Sequence, residues 1–167
     1  MTQNMKTPIL SVIANSLSDT ITQKACVSLK GNQYKSWLFV SNLGKNLFSN
    51  LADQDCELKL VTLDPNGNKE RGEWMLDITI TKNIKIEEKN YSTKAVTHLI
   101  WAVESESNSA LSKFASDFCK LAVVKSHNYI YLHGFNQGTE RATLDFFQRR
   151  LAIATQILIA GGGVPKS

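Results

Sequence analysis

The chain has 167 residues, 43% apolar and 20% charged, with a net charge of +4 at pH 7. That length suits one domain able to bury a real core, and the composition is that of an ordinary globular protein, which excludes a low-complexity chain. A pI near 9.0 permits a nucleic-acid partner without requiring one.

No apolar run approaches the roughly 20 residues of a membrane span, so no membrane partner is expected. Ser11, Asn15 and Ser16 interrupt the N-terminal apolar stretch, so no signal peptide is expected. Cys26, Cys56 and Cys119 are far apart and odd in number, fitting neither a zinc spacing nor a disulfide framework. They point to a reducing, cytoplasmic setting.

In chain order, residues 8–18 read as a short helix in a lead-in of residues 1–32, with Thr20 to Leu29 a weak strand or irregular segment. A core domain then spans 33–160. From Gln33 to about Ala52, Trp37, Val40, Leu43, Leu47, Phe48 and Leu51 recur at helical spacing, with Gly44 as a weak point. Cys56 to Leu63 alternates with period two, and the turn Asp64-Pro65-Asn66-Gly67-Asn68 predicts a hairpin onto a strand at Glu73–Thr81. A lysine-rich connection from Lys82 to Lys94 leads to a strand at His98–Glu106. Ser107, Asn108 and Ser109 are N-cap candidates for a helix from about Ala110 to Val124. A strand at about His127–Phe135 follows. Thr139 then caps a long helix to about Ala160, with Leu144, Phe147, Leu151, Ala154 and Leu158 along one side. Gly161–Gly163 ends it, leaving 161–167 as a flexible terminus. The expected fold is α/β, a central mixed sheet flanked by helices.

Acids stand out in two of these strands. Asp77 shares one strand face with Met75, Thr79 and Thr81, and Glu104 and Glu106 share a face of the later strand, about 7 Å apart. Carboxylates so placed repel unless a cation or a proton lies between them. Two readings stand: a solvated acidic strand end, or hard oxygen ligands for Mg²⁺. On the following helix Lys113, Asp117 and Lys120 form a polar stripe beside Leu111, Phe114, Phe118 and Leu121. Lys120 is within reach of the carboxylates on this reading; the plainer alternative is a Lys113–Asp117 surface pair with Lys120 free.

The series Asp77, then Glu104-x-Glu106, then a helix carrying Asp117-Phe118-Cys119-Lys120-Leu121, resembles the PD-(D/E)XK, or restriction-endonuclease-like, nuclease superfamily over about residues 35–135. The resemblance implies a core of helix, three strands, helix, strand. It implies Asp77 and Glu104 as metal ligands and a Mg²⁺- or Mn²⁺-dependent hydrolysis of phosphodiester bonds, in DNA rather than RNA. Glu106 stands where most members have lysine, and Lys120 is the candidate for a lysine displaced to the helix. Glu106 would then ligate a second ion or accept a proton from water. The first helix carries no acid where many members hold one. The alternative is a non-catalytic protein on the same scaffold, binding nucleic acid or serving as immunity partner of a toxin.

Other residues read more plainly. Trp74 and Trp101 are expected in the core, as is the strand face of Tyr129, Tyr131, His133 and Phe135. His98, His127 and His133 have no metal-ligand spacing. Lys82, Lys85, Lys89 and Lys94, interleaved with Glu87 and Glu88, read as a solvated connection. Arg149 and Arg150 flank an apolar helix face suited to a homodimer contact.

Overall fold

The computed structural model of the chain describes residues 6–23, 32–53, 55–60, 75–134 and 138–161. Its elements are α1 (Lys6–Thr22), α2 (Asn32–Leu51), β1 (Cys56–Leu60), β2 (Ile78–Glu88), β3 (Tyr91–Glu106), α3 (Leu111–Val123), β4 (Ser126–His133) and α4 (Glu140–Ala160). The four strands form one sheet in the order β1-β2-β3-β4. No helix among the described residues is long and apolar enough to cross a membrane. The chain divides into two units, 1–100 and 101–167, with the boundary inside β3.

In the first unit α1 and α2 pack together around Val12, Val40, Leu43 and Leu47. Polar side chains fix their alignment: the Asn46 amide donates to Ser16 Oγ (3.0 Å) and Asp19 Oδ2 (2.9 Å), and Asn42 donates to Thr20 Oγ1 (3.1 Å). Gly44 explains itself by contact. A Cβ there would lie 3.0 Å from a Leu60 methyl and 3.3 Å from Ile78, so the helix backbone lies close against β1 and β2.

β1 runs antiparallel to β2, with Cys56 opposite Lys82 and Leu60 opposite Ile78. Three expectations need correcting here. The strand expected at Glu73–Thr81 begins at Ile78, because Met75 adopts φ 68°, a left-handed conformation that ends an extended run. Asp77 therefore sits just ahead of β2, half-buried. The Lys82–Lys94 connection is instead the body of a β-hairpin, turning at Lys89 (φ 45°) and Asn90. Thr81, Asn83, Lys85 and Glu87 alternate with Lys82, Ile84 and Ile86, a period-two pattern that lysine content masked. Its charges are paired: Lys94 with Glu57, and Lys85 with Glu87. Thr20–Thr22 belong to α1 rather than to a strand. Residues 24–29, the Asp64–Asn68 turn, Trp74 and Phe135 lie outside the described residues.

In the second unit, the end of β3 leads through α3 to β4. Gly134 N–H donates to Glu106 O (3.0 Å), so the two strands end side by side, as parallel neighbours do. Trp101, Ala102, Val103, Phe114, Leu121 and Ile130 form its core. The N-cap of α3 is Ala110, which has no capping side chain. Asn108 Oδ1 instead accepts the Ala110 N–H (2.9 Å), closing a turn before the helix. Thr139 does cap α4, its hydroxyl accepting from Ala142 N–H at 3.2 Å. On α4 the apolar stripe Leu144, Phe147 and Leu151 is exposed. Phe146 and Arg150 face inward instead.

Candidate functional site

β3 carries Glu104 into the interior because Trp101 to Val103 are buried in sequence and the strand stays covered to its next residue. Glu104 is 2% exposed, an unusual setting for a carboxylate. Its Oε2 lies 3.2 Å from Lys120 Nζ, which reaches down from α3. The same ammonium lies 2.9 Å from Asp117 Oδ1, one turn earlier on the helix. Lys120 thus bridges a buried acid on the sheet and a half-buried acid on the helix. Asp117 pairs with Lys120 and not, as the plainer reading had it, with Lys113.

Glu106 lies on the Glu104 face, two residues on, where its Oε1 accepts the Asn108 N–H at 2.6 Å. Its carboxyl is also within hydrogen-bonding reach of Asp117. Three carboxylates and one ammonium therefore share this end of the second unit. Tyr131, on β4, completes the group; its buried hydroxyl has no hydrogen-bond partner among the described residues.

The electrostatics follow from this crowding. Burial opposes the charge on Lys120, but Asp117 and Glu104 outweigh it and raise its pKa well above 10.5, so the ammonium persists at any working pH. Burial also opposes charge on Asp117, yet the hydrogen bond with Lys120 and the charges of Lys120 and Lys113 hold its carboxyl below the ordinary 3.8. Tyr131 is pushed up from 10.0 by burial and by the charges of Asp117, Glu106 and Glu104, and so remains a protonated donor.

Of the residues singled out from sequence, the second unit brings together Glu104, Glu106 and Lys120. Asp77 belongs to the first unit. A different group has metal-like spacing: the ligand atoms of Asp53, Asp55 and Cys56 lie within 4.8 Å of one another. Lys82 already fills that role, its Nζ standing 3.1 Å from Asp53 Oδ2 and 3.2 Å from Asp55 Oδ2.

From sequence, Arg150 is expected beside Arg149, flanking an apolar face of the last helix. It is buried instead, lying over the Phe146 ring (3.1 Å to the centroid) and donating from Nε to His133 Nε2 at 2.9 Å. His133 stacks on Phe146 and meets Phe114 edge-on. No periodicity announces this, since an arginine turned inward looks like any arginine on a helix. Comparison of the chain with protein-family models, with curated proteins and with solved structures gives no match in any of the three.

Proposed function

We propose that the chain is a metal-dependent nuclease hydrolysing phosphodiester bonds in DNA. The observation that carries this reading is the buried Glu104 carboxylate at a strand end, gripped by Lys120 from the next helix, with Glu106 on the same face. The order α2, β1, β2, β3, α3, β4 also agrees with the helix, three strands, helix, strand that the resemblance implies.

Glu104 and Glu106 offer the hard oxygen donors that Mg²⁺ or Mn²⁺ takes. Such an ion, once bound, polarises a phosphate and lowers the pKa of a water. The resemblance implies Asp77 as a further ligand, an expectation that rests on the sequence alone. Glu106, less buried than Glu104, accepts the proton of the attacking water. Lys120 presents a permanent positive charge to the negative charge developing on the phosphoryl oxygens, and Asp117 holds that ammonium in place.

The test is a Mg²⁺ and Mn²⁺ titration, followed by melting temperature and by cleavage of a labelled DNA duplex. A saturable rise in melting temperature is expected. Glu104→Gln should abolish that rise, and Glu104→Gln and Asp77→Ala should each abolish cleavage. Cleavage retained in both variants overturns the reading.

One observation favours a second reading. Lys120 already gives Glu104 a counter-charge at 3.2 Å, as a purely structural ion pair does. The chain would then be a non-catalytic binding or accessory protein, and the titration would show no metal linkage.

A further inference from the structure

Arg150 is a buried cation whose bonded partners are all neutral. It is 6% exposed, and its guanidinium donates to His133 Nε2 (2.9 Å), to Phe146 O (3.2 Å) and to Ser109 O. Among the described residues it forms no ion pair. Burial lowers its pKa, and no carboxylate acts to restore it. Buried charges in proteins are as a rule paired, because desolvation without a counter-charge is costly. The rings of Phe146 and Phe114 attract the cation but leave its net charge uncancelled.

Arg150 also lines a cavity of about 310 Å³, within the range of small-ligand sites. Arg149, Asp145, Phe146, Ser109 and Leu111 share the lining. Arg149 is exposed and forms no ion pair among the described residues. Leu111 opens α3, whose N-cap Ala110 offers the first-turn amides no side-chain acceptor. Of the five N–H groups on Arg150, the three described bonds use three.

We propose that this cavity is an anion site whose ligand is a phosphate group, held between Arg149 and Arg150. The donors on offer outnumber what the two oxygens of a carboxylate accept, whereas a phosphate brings more oxygens and more charge. Asp145, on the same wall, repels an anion, and that repulsion gives the test its sign. The phosphate belongs either to a free phosphate ion or to a nucleic-acid backbone. None of Glu104, Glu106 and Lys120 lines it.

The experiment uses the full chain in EDTA, so that metal-dependent cleavage plays no part. One arm follows melting temperature with inorganic phosphate against chloride at equal ionic strength; the other follows anisotropy of a labelled DNA duplex. Binding in the first arm identifies a free phosphate, binding in the second alone a backbone, and either supports the site. Arg149→Glu, an exposed change that leaves Arg150 and the fold in place, should weaken binding roughly tenfold or more. For the duplex it should also reduce the salt dependence by about one counter-ion. Asp145→Asn should tighten binding. Silence in both arms, indifference to Arg149→Glu, or weakening by Asp145→Asn overturns the proposal.

Discussion

Replacing Lys120 by methionine tests the central electrostatic claim most directly. The change keeps the unbranched stem of the side chain as far as Cε and removes the ammonium 3.2 Å from a carboxylate that is 2% exposed. Breaking a fully buried ion pair from one side costs about 3–5 kcal/mol, because the remaining charge has lost its partner. Lys120 is itself 35% exposed and is shared with Asp117, so solvent screening reduces the cost to about 2–3 kcal/mol. For a chain of this size that is a fall in melting temperature of roughly 4–12 °C. Glu104→Gln should cost less, about 1 kcal/mol, because the lysine left behind keeps Asp117 and access to water. The double variant should cost less than the sum of the two by roughly 1–2 kcal/mol.

The pH profile gives an independent check. In the wild type, Lys120 is raised above 10.5, so its contribution is complete below that value and fades only as pH climbs further. Asp117 is held below 3.8, so its contribution is complete above that value and is lost on acidification below it. The wild-type contribution is therefore flat from about pH 5 to 10. In Lys120→Met the ammonium that holds the Asp117 carboxyl low is gone, so the loss of stability below pH 3.8 should shrink. Thermal melts on the acid side of pH 5 decide it. Equal losses for both single variants, additive in the double and independent of pH, would refute the coupling.

Other predictions follow from neighbouring features. His133 is held below 6.5 by burial and by the charge of Arg150, against the pull of the Glu106 carbonyl, so it favours the fold when neutral. Stability should fall as pH drops below 6.5, and His133→Gln, which can still accept from Arg150, should flatten that decline in melts at pH 5 to 8. Gly44→Val should cost roughly 1–3 kcal/mol by urea denaturation, since its side chain must displace Leu60 and Ile78; an unchanged midpoint would show the helix is not so close. Phe114→Ala, which removes the ring meeting Phe118, Tyr131 and His133, should cost about 3–5 kcal/mol on the same assay, and a loss under 1 kcal/mol would count against that aromatic core.

The sequence determined what short-range regularity can encode. The spacing of Trp37, Val40, Leu43 and Leu47 predicted α2, the alternation of Cys56–Leu60 predicted β1, and Thr139 marked the start of α4. It also put Glu104 and Glu106 on one face, since a strand's period is fixed by its backbone. Only the tertiary structure decided how long β2 and β3 run, because a hairpin is settled by pairing across strands and lysines there look like a loop. Only it decided that Lys120 closes on Glu104 and Asp117, and that Arg150 turns inward beneath Phe146 while Leu144 and Phe147 face out. A charge's partner and a helix's buried side depend on elements far away in sequence, which local pattern cannot see.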